Sequence, residues 1–216
     1  MDGPSGSGKS STSRGVATRF GFEYLDTGAM YRAMTWAVLE AGLIDAGPEE
    51  ITRVVREADL VMTRDPNNPR VEINGHDVTE AIRDPRVSES VSVVATIPAV
   101  REILIARQQA EIAESPGGIV AEGRDITTVV APDADVRVLL VADPEARVAR
   151  RQAELDGVDQ ADVTDQVLRR DRDDSKVAEF QTAADGVHVI DSTFINLDQV
   201  IDLVSELVSA ARDRKT

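Results

Sequence analysis

The chain of 216 residues is long enough for one domain, and its hydrophobic fraction of 42% supplies a sizeable core. Its 24 basic and 39 acidic side chains give a net charge of −15, which argues against a nucleic acid polymer as partner. The lack of cysteine excludes disulfides and thiolate metal sites and agrees with a cytoplasmic protein. No apolar run approaches membrane-spanning length, so we expect no membrane partner.

The chain begins with a phosphate-binding loop. Residues 3–10 read Gly-Pro-Ser-Gly-Ser-Gly-Lys-Ser and fill every fixed position of the G-x-x-x-x-G-K-[ST] motif. Its glycines let successive N–H groups point at phosphate oxygens, Lys9 brings a positive charge, and the Ser10 hydroxyl is offered to Mg²⁺. A glycine-rich turn that only caps a helix is disfavoured because all the fixed positions are filled. The predicted nucleotide-binding residues are Gly3, Pro4, Ser5, Gly6, Ser7, Gly8, Lys9, Ser10 and Ser11.

The first part of the chain alternates strands and helices, as in an α/β sheet. A phosphate loop of this kind follows a buried strand, but only Met1 and Asp2 precede it, so we expect the natural protein to extend upstream with apolar residues. The next predicted elements are a helix over 9–20, a strand over 22–25 and helices over 29–40 and 51–58. Residues 60–80 then predict an antiparallel meander with a hairpin at Asn74-Gly75.

The second part returns to the α/β pattern. Its predicted helices cover residues 84–97, 98–114, 144–155, 164–173 and 197–212, with a short one after residue 125. Its predicted strands cover residues 118–121, 136–141 and 187–191. The strand over 136–141 is almost continuously apolar, which is typical of a buried parallel strand. Together these patterns predict an α/β fold with a parallel central sheet and flanking helices.

Two polar motifs follow predicted strands, at the edge where open α/β sheets hold ligands. The first, residues 26–32, places Arg32 within reach of a second phosphate group. The second, residues 122–125, sets an arginine beside an aspartate, a pair that can bind a hydroxylated or amine-bearing ligand. On local pattern alone, helix capping with a solvated Arg32 explains the first motif equally well, and a turn salt bridge explains the second.

Arginines are concentrated on two later helices of this acidic chain. They are Arg147, Arg150, Arg151, Arg170 and Arg172, with an acidic loop between the helices. A solvated helical hairpin explains this pattern by itself. Beside a phosphate loop, a lid that closes over the transferring phosphates becomes the favoured interpretation.

These motifs together resemble bacterial cytidylate kinases, nucleoside-monophosphate kinases of the P-loop superfamily. The resemblance is carried by Asp-Gly-Pro-Ser-Gly-Ser-Gly-Lys-Ser (2–10), Tyr-Leu-Asp-Thr-Gly-Ala-Met-Tyr-Arg (24–32), Ile-Pro-Ala-Val-Arg (97–101), Glu-Gly-Arg-Asp-Ile-Thr-Thr-Val-Val (122–130), Pro-Asp-Ala-Asp-Val (132–136) and Arg-Arg-Asp-Arg-Asp-Asp-Ser (169–175). It covers nearly the whole chain in order. The second and fourth motifs are close to family-specific.

The resemblance implies transfer of a phosphoryl group from ATP, with Mg²⁺, to CMP or dCMP by a cytoplasmic monomer. It implies one domain, with a core over 1–59, 98–150 and 168–216, an antiparallel-sheet-containing CMP-binding insert over about 60–97 and a helical lid over about 151–167. The implied substrate-binding residues are Thr27, Tyr31, Arg32, Ser92, Arg101, Arg124, Asp125 and Asp174. The implied catalytic residues are Lys9, Arg151 and Arg170, with Ser10 on the metal.

The sequence departs from the family pattern within the fourth motif and again after the last one. Thr127 stands where the family usually has glycine, and we expect only a local turn to change. The family often has an arginine and a Pro-Leu pair just after the Asp-Ser, but here residues 176–180 begin with Lys176. A phosphate-binding arginine is therefore either missing or replaced by Lys176, and a lysine cannot reproduce its bidentate geometry.

The residues by themselves leave two other functions open. One is a P-loop kinase for another small acceptor, such as UMP, AMP or a sugar acid, because the residues after Asp26 and Arg124 would face that acceptor. The other is a non-catalytic nucleotide-binding switch. A switch that reads guanine would carry Asn-Lys-x-Asp, which the sequence lacks.

Overall fold

The structure is a computed structural model that describes residues 1–154, 164, 171–173, 175, 178, 180 and 182–214. Its helices are α1 (Lys9–Phe20), α2 (Thr27–Glu40), α3 (Pro48–Glu57), α4 (Pro85–Ala95), α5 (Pro98–Ala113), α6 (Pro144–Glu154) and α7 (Leu197–Asp213). Its strands are β1 (Glu23–Asp26), β2 (Leu60–Met62), β3 (Val71–Ile73), β4 (His76–Asp77), β5 (Ile119–Glu122), β6 (Val138–Val141) and β7 (His188–Asp191).

These elements confirm the predicted order, with ends shifted by a few residues. Helix α3 begins earlier than predicted because Pro48 suits a first helical turn. A π-helical turn, Ile126–Val130, takes the place of the short helix predicted after residue 125. Of the helix predicted over 164–173, the described residues 164 and 171–173 are helical, and the rest lies outside the described residues.

The sheet is parallel, and the two residues before the phosphate loop occupy its centre. Strand β1 pairs with β5, and β6 pairs with β7, both in parallel. Asp2 bridges these pairs, since its N–H donates to the Val138 carbonyl at 2.8 Å and its carbonyl accepts from the Leu140 N–H at 2.8 Å. On the other side, the Gly123 N–H donates to the Met1 carbonyl at 2.9 Å. The carboxyl ends of β5 and β6 therefore flank the start of the loop.

Two apolar clusters hold the layers together. The larger contains Leu25 of β1, Met34 of α2 and Ile73 of the meander. The smaller packs Val16 of α1 and Val204 of α7 against the strands next to Asp2. As expected from the scarcity of aromatic residues, both clusters are built mainly of aliphatic side chains. Among the helices that the structure describes, none is both long and apolar enough to cross a bilayer.

The predicted meander is confirmed. Strands β2, β3 and β4 form an antiparallel sheet in which Leu60 lies opposite Ile73. Asn74 and Gly75 have φ angles of 52° and 76°, as a two-residue hairpin requires. The buried side of the sheet belongs to the same core cluster as α2. Whether residues 60–97 act as a separate acceptor-binding insert stays a prediction.

Candidate active site

The phosphate loop adopts a backbone that glycine alone can supply. Gly3, Gly6 and Gly8 have φ angles of 150°, 76° and 90°. A Cβ atom on Gly3 would lie 2.1 Å from the Leu140 carbonyl oxygen, so the loop could not pass so close to β6. Gly8 caps α1, which places the positive end of that helix at the loop.

The side chain of Lys9 lies over the phosphate loop. It is buried, and its Nζ donates to the Pro4 carbonyl at 3.0 Å. An ammonium held against a loop carbonyl can exchange that acceptor for a phosphate oxygen without leaving the site. The predicted role of Lys9 on the outer phosphates agrees with this position.

The turn after β5 is bonded directly to the phosphate loop. The buried Asp2 carboxylate accepts from the N–H groups of Ile126 and Thr127, both at 2.8 Å, and from the Thr127 hydroxyl at 2.7 Å. Two residues before Ile126, Arg124 Nη1 donates to the Gly3 carbonyl at 2.6 Å. Arg124 therefore contacts the phosphate loop, and the alternative interpretation of this motif as an isolated turn salt bridge is wrong.

The expectation that threonine in place of glycine at position 127 changes only a local turn is wrong. The Thr127 side chain is buried and donates the third hydrogen bond to Asp2. It therefore ties the turn after the second strand-end motif to the residue just before the loop. Sequence alone could not reveal this bond, because the two residues are 125 positions apart.

Tyr31, Arg101 and Asp125 form a cluster beside Arg124. Arg101 Nη2 lies 2.5 Å from Asp125 Oδ2, and both side chains are largely buried. Burial raises the pKa of Asp125, which the Arg101 charge opposes. Burial also raises the pKa of Tyr31 to about 12, so its hydroxyl keeps its proton at neutral pH and can donate to a ligand.

Arg32 and Thr27 lie at the first strand-end motif. The Asp26 carboxylate accepts from the Ala29 N–H at 2.8 Å and therefore caps α2, as the capping interpretation held. Arg32 is not solvated, because its Nη2 lies 3.1 Å from Asp26 Oδ2. The Thr27 hydroxyl donates to the Glu122 carbonyl at 2.7 Å and joins the two strand-end motifs.

The other predicted site residues lie elsewhere. Ser92 is half-buried on α4, where its carbonyl accepts from the Thr96 hydroxyl at 2.7 Å. Arg151 is half-buried in the last turn of α6. Arg170, Asp174 and most of the predicted lid fall outside the described residues, as does Lys176.

Residues 1–210 match the cytidylate kinase family. This chain belongs to that family. It is 57% identical over 210 residues to a cytidylate kinase of Cutibacterium acnes, which covers 96% of this chain and 94% of the relative. It is 44% identical to the cytidylate kinase of Streptomyces griseus and 46% identical to that of Nocardia farcinica, over 98% and 97% of this chain and 92% of each relative. Membership confirms the predicted nucleoside-monophosphate kinase fold.

Two of the arginines assigned to a lid support the phosphate loop instead. Arg147 is buried, and its Nη1 donates to the Ser5 carbonyl at 3.0 Å. Arg150 Nη1 donates to the Ser192 hydroxyl at 3.0 Å and to the Ser7 carbonyl at 3.5 Å. Both are bound to backbone at the base of the site, a placement that their spacing on α6 did not reveal.

Glu122 is a site residue to which the sequence analysis gave no role. It lies fully buried at the end of β5, where Tyr24 donates to its Oε1 at 2.7 Å. Burial raises its pKa, and Asp26 raises it further, whereas Lys9 and a hydrogen bond from Ser10 lower it. A carboxylate as the last residue of an otherwise apolar strand was the signal that could have identified it.

We expect Glu122→Gln to stabilise the ligand-free protein and to slow catalysis. A buried acid with a raised pKa takes up a proton more readily when folded, so the stability of the wild type falls as pH rises through that pKa. Glutamine removes this cost, and we expect unfolding free energy to increase by on the order of 1 kcal/mol near pH 8. Urea unfolding should show the difference shrinking as pH is lowered towards about 5.

The exposed Glu206→Gln on α7 serves as the control, with no expected change in stability or rate. Equal stability of Glu122→Gln and wild type at every pH would contradict a charge cost at Glu122.

Proposed function

We propose that this protein catalyses the Mg²⁺-dependent transfer of a phosphoryl group from ATP to CMP or dCMP, as a monomer in the cytoplasm. The observation that carries the proposal is the 2.6 Å hydrogen bond between Arg124 and the Gly3 carbonyl. It puts an arginine of the family's acceptor motif in contact with the loop for the donor phosphates. Phosphoryl transfer requires this adjacency of two phosphate sites.

The acceptor phosphate is assigned to Arg32, Arg101 and Arg124. Arg32 is paired with Asp26 and Arg101 with Asp125, so both guanidinium groups are held in place. When a phosphate displaces these partners, the entropic cost of ordering the arginines is therefore small. The bidentate geometry of arginine suits a phosphate better than lysine does.

Tyr31, Asp125 and Arg124 are assigned to the cytosine side of the acceptor, together with Thr27 and Ser92. Cytosine carries an amino group that donates and a ring nitrogen and carbonyl that accept. A site that recognises it therefore needs a carboxylate that accepts and other groups that donate. Asp125 and the protonated Tyr31 supply the two kinds of group within one cluster. The roles of Asp174 at the sugar and of Arg151 and Arg170 at the transferred group are carried over from the family motifs.

The donor side is assigned to the phosphate loop, with Lys9 on the outer phosphates. The acceptor phosphate is already an anion, so the reaction needs no dedicated general base. The chain contributes alignment and charge neutralisation, and residues 151–167 are assigned to a lid that excludes water.

The residues present fit a magnesium ion. Ser10 and the carboxylate of Glu122 offer oxygen ligands beside the phosphate loop, and Mg²⁺ prefers oxygen. Among the described residues there is no cluster of three acidic, histidine or cysteine side chains, which agrees with an ion held largely by water and substrate phosphates. When bound, the ion would neutralise charge on the donor phosphates.

An acceptor panel tests the function. ADP release with ATP and CMP, dCMP, UMP or AMP is followed in a coupled assay, with ATP alone as the background. We expect CMP and dCMP to be turned over fastest, with kcat/KM at least about 10²-fold above AMP, because a site built to hydrogen-bond one base leaves polar groups unpaired with another. Fastest turnover with AMP, or turnover with none of the acceptors, would contradict the proposal.

A further inference from the structure

A buried ion pair hydrogen-bonds to both the N–H and the carbonyl of one residue of the phosphate loop. Arg147 of α6 and Asp171 are 6% and 8% exposed, and Arg147 Nη1 hydrogen-bonds to Asp171 Oδ2. The other carboxylate oxygen, Asp171 Oδ1, accepts from the Ser5 N–H at 2.9 Å. Arg147 Nη1 donates to the Ser5 carbonyl at 3.0 Å. Both backbone groups of Ser5 are thus satisfied by the same pair.

The pair is itself held in place by the sheet. Arg147 Nε donates to the Ala142 carbonyl at 3.1 Å, one residue beyond β6. The backbone of α6 also touches the loop, since a Cβ atom on Gly6 would lie 2.8 Å from the Arg147 carbonyl oxygen. Because this guanidinium has three fixed acceptors, it has little freedom to move. The positions of β6 and α6 therefore determine where the Ser5 backbone lies.

Stability alone does not account for this arrangement. Burying two charges costs desolvation free energy, and apolar residues of similar volume often stabilise a fold as well or better. What apolar residues cannot supply are the two hydrogen bonds to Ser5. The pair therefore matters for where the loop backbone lies.

We propose that Arg147 and Asp171 are positioning residues that fix the phosphate loop in its nucleotide-binding shape before ATP arrives. The proposal rests on the proposed function only in taking an adenine nucleotide as the loop's ligand. Loss of the pair should weaken donor binding most. The acceptor arginine Arg124 also lies near the pair, with its Nη2 3.9 Å from Asp171 Oδ1. Its shorter hydrogen bond is to the Gly3 carbonyl at 2.6 Å, and it stacks on the Phe180 ring at 4.9 Å, so it keeps two anchors when Asp171 is replaced.

The test replaces the pair by apolar residues of similar size and measures nucleotide binding without turnover. Asp171→Leu alone leaves Arg147 buried without its partner and should lower Tm. Asp171→Leu combined with Arg147→Met should recover most of that Tm. The Kd for ADP, measured by calorimetry, should remain raised about tenfold in the double variant, while the Kd for CMP changes less than about threefold. The exposed pair Arg19–Asp202, replaced as Arg19→Met with Asp202→Leu, is the control and should change neither constant.

A double variant with recovered Tm and wild-type ADP affinity overturns the proposal, because the pair is then only structural. If the double variant does not fold, Asp171→Asn decides. Its amide oxygen can still accept from Ser5, so it should bind ADP within about threefold of wild type. An ADP affinity of Asp171→Asn as poor as that of Asp171→Leu overturns the proposal. Because binding of ADP is measured alone, a failed acceptor panel does not affect this test.

Discussion

Replacing Lys9 with methionine should lower kcat by about 10² to 10³-fold, because it removes the buried positive charge that we assign to the outer phosphates. Nζ lies over the loop, 3.0 Å from the Pro4 carbonyl. Methionine keeps the length and apolar stem of the side chain, so folding should be preserved. Steady-state rates with ATP and CMP measure the effect.

The control for Lys9→Met is Arg19→Met on the same helix. It removes one positive charge from α1 at an exposed ion pair with Asp202. Its kcat should stay within about twofold of wild type, since exposed pairs contribute little. A Lys9→Met enzyme that keeps its kcat and only raises the KM for ATP would place Lys9 in ground-state binding and not in transfer.

Replacing Asp2 with alanine should cost about 3 kcal/mol or more of stability and weaken CMP binding. Three donors, two N–H groups and the Thr127 hydroxyl, lose their buried acceptor at once. The turn that follows Arg124 and Asp125 then loses three of its bonds to the segment before the loop, and the Arg124 bond to the Gly3 carbonyl remains. Urea unfolding measures the stability, and the KM values for CMP and ATP show which substrate is affected.

A double-mutant cycle separates the turn from the rest of the effect. Thr127→Val removes one donor from Asp2 and keeps the side-chain shape, so it should cost about 1 kcal/mol by itself. In the Asp2→Ala background the same change should cost much less, because the bond is already gone. Additive costs would mean that the Thr127 hydroxyl does not depend on Asp2. The exposed Thr18→Val provides a matched control.

The sequence could predict those parts of the site that are governed by local rules. The glycines of the loop, the Asn74-Gly75 hairpin and the strand-end positions of the Arg32 and Arg124 motifs each depend on a few neighbouring residues. Periodicity and turn chemistry therefore sufficed for them. The structure confirmed all of these elements near their predicted ends.

Contacts between distant residues could not be predicted in the same way. Arg147 and Arg150 belong to a helix with a charged pattern, which favours a solvated face or a lid. Their actual acceptors are carbonyls of Ser5 and Ser7, more than 140 positions away. Glu122 ends an apolar strand, which is a local signal of a site residue, but the extent of its desolvation depends on strands that pack around it. Such contacts depend on tertiary packing, which local pattern does not encode.

The central place of Met1 and Asp2 in the sheet also constrains the order of folding during synthesis. Met1 and Asp2 are synthesised well before their partners, which lie 120 or more positions later, such as Ala121. Strand β6, on their other side, is translated later still. Pairing over such separations is slow, because the intervening chain must close first. A nascent chain that ends before β6 therefore carries the whole ATP-binding motif without the strands that shape it, and nucleotide binding should appear only late in translation.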